Sequence, residues 1–479
     1  MDSLQIDHLL HAKEKCISWG GEQMAQISKF TIRTSGRRVF RRCMRKWGFQ
    51  SSIKMNLQRK GTEQNINFWF GSAIHFAMED FFGYNRFGDL TKAFQAYYAA
   101  FPEYDRPAGA DEHYFLGMSM LEYFKEWYPK HNQDMQFQTV WLDEKGQEVS
   151  PGTPGARPLI EESFILGLGK TTWIREDTEE VVDPSADWLS RDEDGRYYFI
   201  ESNHGQPQMA WEQKRVYVTE VPIYYHGTLD RVVRDRLGRW WIMDWKTAKG
   251  ADTNKLDTDD QISAYMWAAE QWFQRPIHGF VYVQLTKDVA KPPKRLANGT
   301  LSVDKKQKTT YNLLRKEIIK DYGEVRKAPA KLVEYLNYLA GEETPEGDRF
   351  IRWDLVTRNK EQKISTYHHI QAEVDLMIRP DQHLFPNPTR DCIWDCPFRD
   401  ACLMMDRGQQ DQVQAWLDEY FEPRPREEDG NIDPWRKNIP WPDESGESKA
   451  ISTMLERMGT NASDTLNIIL PDKYRNMEE

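Results

Sequence analysis

Long apolar runs are missing from this sequence of 479 residues. No stretch approaches the ~18 consecutive apolar residues that mark a membrane-spanning helix. The start, MDSLQIDHLLHAKEKC, also lacks the charged-then-apolar pattern of a secretion signal. We therefore expect neither a membrane span nor export, and the expected setting is a reducing cytoplasm.

Cysteine is scarce, with five residues in the whole chain. Three of them, Cys392, Cys396 and Cys402, lie within eleven positions. In a reducing compartment, clustered cysteines serve as metal ligands more often than they form disulfides. Three thiols do not complete a four-ligand metal site, so the group predicts a further ligand elsewhere in the chain.

Nucleotide-binding motifs are missing too. The sequence has no G-x-x-x-x-G-K-[ST] loop, no helicase motif and no internal repeat. Any nucleotide-driven motor would therefore be a separate chain. Apolar residues make up 39% of the chain and aromatic residues 13%, which indicates a globular protein with a large core.

Positive charge is unevenly distributed along the chain. The formal net charge of -11 argues against a protein that coats nucleic acid indiscriminately. Residues 33–60 nevertheless carry ten arginines and lysines without one acid, and a second basic stretch covers 291–316. One such run is equally typical of a solvated helix face. Two runs with aromatic residues between them favour a footprint for a phosphate backbone.

The segment 214–250 predicts three consecutive strands, at 215–225, 226–234 and 239–246. The third is apolar on both faces, which is typical of a central strand. Because side chains alternate along a strand, Asp244 and Lys246 at its end lie on one side. Asp230 on the neighbouring strand supplies a second carboxylate. A helix within 257–274, with Gln261 and Tyr265 on one face, and a further strand at 278–286 follow.

Two carboxylates and a lysine at a strand end suit phosphodiester hydrolysis. This reaction needs a hard cation, Mg²⁺ or Mn²⁺ held by carboxylates, and a group that orients or deprotonates water and stabilises the negative transition state. On an upstream helix (68–84), His75 shares a face with Glu79 and offers a nitrogen ligand. Each part alone has an ordinary explanation, a surface ion pair or a core histidine. Their joint appearance favours a metal site.

These residues resemble the RecB-like branch of the PD-(D/E)XK nuclease superfamily, which includes iron–sulfur exonucleases of CRISPR adaptation modules and AddB-type nuclease subunits. The helix motif of that family, Gly-x-x-x-His followed by an acid, is similar to residues 71–79. Its Gly-x-x-Asp-Arg, Asp-Phe/Tyr-Lys and Gln-x-x-x-Tyr motifs are similar to residues 227–231, 244–246 and 261–265. The acid before the glycine motif is assigned to Glu220. The resemblance covers about 30–85, 214–285 and 384–405.

The resemblance implies the role of each site residue. Ligands for Mg²⁺ or Mn²⁺ are expected at His75, Asp230, Asp244 and the carbonyl group of Trp245. Catalysis is assigned to Lys246 together with Asp230, Asp244, Gln261 and Tyr265. DNA binding is assigned to the basic stretch, specifically to Arg37, Arg38, Arg41, Arg42, Arg45 and Lys46.

The resemblance also implies a fourth cysteine near the start of the chain. Cys43, in the basic segment RRVFRRCMRKWGF, matches that position, so Cys43, Cys392, Cys396 and Cys402 are expected to ligate a structural [4Fe-4S] cluster. Three alternatives stay open: zinc on the same thiols, buried cysteines without a ligand, and Cys16 in place of Cys43.

The expected architecture is an α/β (α+β) fold with a restriction-endonuclease-like mixed sheet, flanking helices, a helical insertion and a C-terminal iron–sulfur staple. The expected function is a metal-dependent DNA exonuclease acting on DNA ends or single strands in recombination, repair or phage DNA processing, in the host cytoplasm if a phage encodes it. A recombinase, annealing protein or helicase is the expected partner. The alternatives are a structure-specific endonuclease on the same fold and a non-catalytic DNA-binding subunit.

The expected regions are 1–85, helical with the basic patch; 86–213, an insertion; 214–290, the nuclease core; 291–383, helical; 384–410, the cysteine group; and 411–479, an acidic proline-rich linker and tail.

Overall fold

The computed structural model describes residues 29–61, 65–101, 105–178, 181–182, 189–202, 213–250 and 255–424. The expectations for Cys16 and for the tail beyond residue 424 lie outside these residues. Within the described ranges, every helix is too short or too polar to cross a membrane.

Side-chain caps define the beginnings of several helices. The Asp89, Asp259 and Asn359 side chains each accept hydrogen bonds from backbone N–H groups of the following turn, which satisfies donors that the helix itself leaves unpaired. The helices are α1 (Thr34–Arg42), α2 (Met44–Gln50), α3 (Ile66–Phe82), α4 (Leu90–Ala100), α5 (Ala110–His131), α6 (Asp260–Phe273), α7 (Tyr311–Tyr322), α8 (Ala330–Glu342), α9 (Lys360–Met377), α10 (Arg399–Asp406) and α11 (Gln410–Tyr420).

Most of the longer strands belong to one sheet. The strands are β1 (Phe30–Ile32), β2 (Leu57–Arg59), β3 (Gln138–Thr139), β4 (Trp141–Leu142), β5 (Glu148–Val149), β6 (Arg157–Pro158), β7 (Ile160–Arg175), β8 (Val181–Val182), β9 (Ser190–Arg191), β10 (Tyr197–Ser202), β11 (Gln213–Arg234), β12 (Trp240–Ala248), β13 (Ile277–Thr286), β14 (Ile351–Val356) and β15 (Phe421–Pro423). The main path of the sheet is β14-β13-β12-β11-β10-β9, and β1, β3 and β7 also pair with β11.

The sheet is mixed. β12 and β13 run parallel and are connected through α6, whereas β11–β12 and β13–β14 are antiparallel. Only a crossover connection can join two parallel strands, and the helix predicted in 257–274 provides it. The expected α/β fold, a mixed sheet flanked by helices, is confirmed and is consistent with a restriction-endonuclease-like core.

The longest strand corrects one sequence expectation. The strands expected at 215–225 and 226–234 are a single strand, β11, which spans 22 residues. The sequence predicted a break between the two strands at His226. In the structure β11 continues through this position, and His226 and Gly227 pair with Ile165 and Phe164 of β7. The turn expected between β11 and β12 is present, with Gly238 at φ 78°.

Two layers of helices cover β12, whose side chains are buried on both faces over most of its length, as expected of a central strand. On one face, Trp241, Met243 and Trp245 pack against α3, α4 and α5. On the other face, Trp240 and Ile242 belong to a second core cluster that includes α6 and α9. The strand end that carries Asp244 and Lys246 therefore lies between two packed layers.

The segment 86–213 contributes directly to this core. Its helices α4 and α5 cover one face of the sheet, and its strands β7 and β10 pair with β11. This part of the chain is thus continuous with the nuclease sheet that 214–290 was expected to form.

The C-terminal part of the described chain packs against the N-terminal part. β15 pairs with β2, and α10 and α11 share a hydrophobic cluster with Phe49 of α2. The three clustered cysteines therefore lie beside the basic helices α1 and α2.

Candidate active site

Asp230 and Asp244 lie on the adjacent strands β11 and β12. Both side chains are buried, with 9% and 2% of their surface exposed. The Oδ2 atom of Asp230 accepts a hydrogen bond of 2.8 Å from the backbone N–H of Trp245. This bond fixes the Asp230 carboxylate next to the end of β12.

Lys246 lies on the same side of β12 as Asp244. Its Nζ atom is 2.7 Å from Oδ2 of Asp244. Although burial disfavours the ammonium form, Asp244 and Asp230 outweigh it and raise the pKa of Lys246. The lysine is therefore a stable cation that points into the carboxylate group.

His75 reaches the same place from α3. Its Nδ1 atom lies 3.2 Å from Oε1 of Glu161 and 3.6 Å from Oδ2 of Asp230, and its Nε2 atom lies 3.1 Å from the carbonyl oxygen of Trp245. Phe82, two turns further along α3, stacks on the Trp245 ring with the ring centroids 5.5 Å apart. This contact holds α3 against β12 and so positions His75.

Glu161 is a site residue that the sequence analysis missed. Glu162 pairs with Leu229 across β7 and β11, so Glu161 lies level with Asp230. Its φ of 47° is unusual for a residue other than glycine and costs on the order of 1 to 2 kcal/mol. The strained backbone directs its carboxylate toward His75.

Glu220, the acid expected in this role, lies elsewhere. It is ten positions from Asp230 along β11, a separation of about 30 Å in an extended strand. Its carboxylate accepts a hydrogen bond of 2.8 Å from the hydroxyl group of Thr171. The assignment of Glu220 is therefore wrong, because an extended strand cannot bring the two acids together.

The side chains fit a divalent cation. Within the described residues, His75, Glu161 and Asp230 form the one group of three or more potential ligands whose ligand atoms all lie within 4.8 Å of one another. Asp244 adds a buried carboxylate, whose Oδ2 atom pairs with the ammonium group of Lys246 at 2.7 Å. Carboxylate oxygens with one imidazole nitrogen are ligands that Mg²⁺ and Mn²⁺ accept.

The electrostatics of the group also favour a bound cation. Burial alone would lower the pKa of His75, but Asp230 and Glu161 outweigh it and raise the pKa to about 9. Burial raises the pKa of Asp230. The negative charges of Asp244 and Glu161 raise it further, and the positive charges of His75 and Lys246 lower it, with a raised pKa as the net result. Closely spaced carboxylates thus hold a proton on His75, and a metal ion would replace that positive charge.

Comparison with known proteins identifies the family. The family model of the PD-(D/E)XK nuclease superfamily matches residues 34–403. The chain belongs to the PD-(D/E)XK nuclease superfamily. Membership implies metal-dependent nuclease activity, and a nuclease of this family would bind DNA. A search of curated proteins finds no significant match.

In this PD-(D/E)XK nuclease, Tyr265 borders the acidic site from α6. Burial raises the pKa of its phenol, and Tyr225 and Asp244 add to the effect. Gly227 on β11 allows the close packing, because a Cβ atom there would lie 2.5 Å from the Phe164 ring and 3.2 Å from the Tyr265 ring. Gln261, one turn before Tyr265, is half-buried in the first turn of α6.

The basic stretch of the nuclease divides into buried and accessible residues. Arg37 has no exposed surface, and its Nε atom lies 2.6 Å from Glu373 while Nη1 lies 3.0 Å from Asp260. The Arg45 side chain is 4% exposed and contacts Asp406 at 3.1 Å. These two guanidinium groups hold helices together and do not face solvent, which corrects their assignment to DNA binding.

The accessible basic residues pair with acids at the surface. Arg38, Arg41 and Arg42 keep 37 to 48% of their side chains exposed and pair with Asp259, with Asp260 and Glu373, and with Asp391 and Asp395. Lys46 on α2, with 13% of its side chain exposed, lies 3.6 Å from Asp395. The pKa of Tyr282 is raised by burial and by Asp244 and lowered by Lys246 and, to a smaller extent, by Arg38, so the charge of Arg38 reaches a residue that also senses the acidic site.

The four expected cysteine ligands come to one region of the nuclease. Cys43 joins α1 to α2 and caps α2 through its sulfur, and Sγ of Cys402 on α10 accepts a hydrogen bond of 3.1 Å from Arg45. Burial raises the pKa of the Cys396 and Cys402 thiols, with smaller contributions from Cys43. Within the described chain, no three of these sulfur atoms lie within 4.8 Å of one another, so the structure gathers the thiols without defining a compact metal site.

Replacing Glu161 by glutamine should weaken manganese binding by about 10-fold or more, the effect typical of losing a partner in a metal site. Glutamine keeps the size of the side chain and its hydrogen bond to His75 but removes the negative charge. Calorimetric titration of the full chain with Mn²⁺ measures this change. Glu220→Gln is the matched control and should bind manganese like the unsubstituted protein; equal affinities for all three proteins would remove Glu161 from the site.

Proposed function

We propose that this protein is a metal-dependent DNA exonuclease that acts on DNA ends or single strands in recombination, repair or phage DNA processing. The observation that carries the proposal is the convergence of His75, Glu161 and Asp230 beside the Asp244–Lys246 pair. The sequence lacks a nucleotide-binding loop, so any helicase, recombinase or annealing partner would be a separate chain in the cytoplasm.

The cation is Mg²⁺ or Mn²⁺ in this proposal, held by His75, Glu161, Asp230 and Asp244. A cation bound there supplies neutralisation of phosphate charge and acidification of water. The Trp245 carbonyl was expected to be a further ligand. The carbonyl oxygen of Trp245 instead lies 3.1 Å from Nε2 of His75, whereas Nδ1 of His75 faces the carboxylates. In our proposal this carbonyl accepts a hydrogen bond from Nε2 and so orients the imidazole ring.

Lys246 provides positive charge at the scissile phosphate. Asp244 and Asp230 keep its ammonium group protonated, so it donates hydrogen bonds to the phosphate oxygens as negative charge develops. The ammonium group of Lys246 is also a proton donor for the leaving oxygen. Tyr265 and Gln261 on α6 position the DNA strand in front of these groups.

The surfaces of α1 and α2 contribute to DNA binding in this proposal. Arg38, Arg41, Arg42 and Lys46 remain as candidates after the burial of Arg37 and Arg45 is taken into account. Their present partners are carboxylates at a partly exposed surface. Phosphate groups compete readily with such pairs because exposed ion pairs are weak, at most about 1 kcal/mol.

A structural [4Fe-4S] cluster on Cys43, Cys392, Cys396 and Cys402 would join the basic helices to the C-terminal segment. The electrostatic effect of Cys43 on both Cys396 and Cys402 supports a shared site. A zinc ion would need the four sulfur atoms about 3.8 Å apart at its usual bond lengths. Zinc on the same four thiols is therefore the alternative that metal analysis must distinguish from the cluster.

One experiment tests the proposal in two stages. Protein is purified without oxygen, and its iron, sulfide and zinc contents are measured with its visible spectrum. Four irons per chain with visible absorbance support the cluster, whereas stoichiometric zinc with a colourless solution overturns that part.

In the second stage, the same protein is incubated with manganese or magnesium, end-labelled linear DNA and closed single-stranded circles. An exonuclease shortens the linear DNA from an end and leaves the circles intact, and the label reports the polarity. Cutting of circles would replace the exonuclease assignment by an endonuclease. DNA binding without cleavage of either substrate would refute catalysis.

A further inference from the structure

An accessible stripe runs along α3 from His75 toward the first turn of the helix. Phe68, Gly71, Ser72 and His75 lie on one face at the spacing of an α-helix, and all four keep some exposure while the residues between them are buried. Phe68 ends the stripe with 76% of its surface exposed. A Cβ atom added to Gly71 would meet nothing within 4 Å, so the face between Phe68 and His75 is open.

Two lysines stand at the same end of the stripe. The Nζ atom of Lys287, at the end of β13, lies 2.8 Å from Oδ1 of Asn67 and 5.2 Å from the centroid of the Phe70 ring. Lys249 follows the end of β12, where Ala248 pairs with Thr286 of the parallel strand β13, so Lys249 lies level with Lys287. In the part of the chain that the structure describes, neither lysine forms an ion pair. The exposed ring of Phe68 and these two positive charges, which no described carboxylate neutralises, therefore lie on adjoining sides of the first turn of α3.

The length of the stripe sets the register of a bound strand. Seven residues separate Phe68 from His75, which is about 10 Å along a helix. A stacked nucleic acid strand advances about 3.4 Å per nucleotide. The ring of Phe68 is thus about three nucleotides from a phosphate held at His75.

We propose that Phe68, Lys249 and Lys287 form a subsite for a single strand of DNA about three nucleotides from the scissile phosphate. This inference rests on the proposed function. The Phe68 ring stacks on one base, and the two ammonium groups bind the neighbouring phosphates. Base faces are covered in an intact duplex, so the subsite selects a single-stranded or frayed end, and stacking accepts every base.

The test measures binding of end-labelled single strands to the full chain with calcium in place of magnesium, after gels verify that the DNA stays intact. Phe68→Ala should weaken binding by about 10-fold, and Phe68→Trp should restore it. Leu237→Ala is the matched control, because Leu237 is 67% exposed in the turn between β11 and β12, at the opposite end of β12. It should bind like the unsubstituted protein.

A strand with one base removed identifies the contact. The abasic nucleotide is placed at successive positions along the strand. At one position it should weaken binding to the unsubstituted protein. The same strand should bind Phe68→Ala as well as the intact strand does, because the stacking contact is already lost. If the unsubstituted protein cleaves DNA in magnesium but Phe68→Ala binds equally well, the subsite is refuted while the proposed function stands. If the losses from Phe68→Ala and from base removal simply add, Phe68 does not contact that base and the inference fails. If the unsubstituted protein neither binds nor cleaves DNA, both proposals fail.

Discussion

Replacing Lys246 by alanine should lower the rate of DNA cleavage by about 100- to 1,000-fold, the cost of removing one well-placed charge donor from an active site. The ammonium group lies 2.7 Å from Asp244, where negative charge would develop on the phosphate in the proposed mechanism. Binding of DNA in calcium should change little, because the basic surface on α1 is intact. Single-turnover cleavage and equilibrium binding, measured on the same protein, separate the two effects.

Lys363→Ala is the matched control for this substitution. Lys363 also pairs with a carboxylate, at 2.6 Å from Glu270, but on α9 and α6 away from the acidic site. It should keep full cleavage activity. If Lys246→Ala keeps its activity as well, while both variants remain folded in a thermal unfolding assay, lysine has no part in the mechanism.

Replacing Arg37 by alanine should lower the free energy of unfolding by about 3 to 5 kcal/mol, the usual cost of breaking a buried ion pair on one side. Arg37 is fully buried and bridges Asp260 on α6 and Glu373 on α9. Its removal leaves two partly buried carboxylates close together with less compensation. Urea denaturation in the absence of DNA measures the loss.

Arg41→Ala separates burial from charge, because Arg41 contacts the same two acids but keeps 40% of its side chain exposed. An exposed pair of this kind contributes at most about 1 kcal/mol. A stable Arg37→Ala protein that binds DNA weakly would restore the assignment of Arg37 to DNA binding. A large loss of stability establishes it as a residue of the fold.

The sequence predicted those parts of the fold that local patterns encode. The apolar strand that carries Asp244, the turn before it at Gly238 and the helix capped by Asp259 each carry their signal within a few residues. The break expected at His226 failed for a long-range reason. The pairing of β11 with β7 carries the strand through a histidine and a glycine, and no residue near 226 reports that partner.

The missed and misassigned site residues follow the same rule. Glu161 follows a proline- and glycine-rich segment, and its place beside His75 depends on the register of β7 against β11. The one signal in the sequence is a pair of acids at the start of an apolar strand. Arg37 resembles its basic neighbours in sequence, and its burial depends on acids 223 and 336 positions away. Such contacts are properties of the topology.

The pairing of β2 with β15 has a consequence for biosynthesis. The N–H group of the Asn56 side chain binds the carbonyl group of Arg424, 368 positions later in the chain. The entropic cost of closing so long a loop is only slightly larger than for a shorter one, because it grows with the logarithm of loop length. The contact itself can form only after the ribosome has made both ends of the loop. During translation the sheet, with α1 held against it by Asp260 and Glu373, can assemble before β15 exists, so the catalytic groups are ready before the C-terminal part of the described chain is in place.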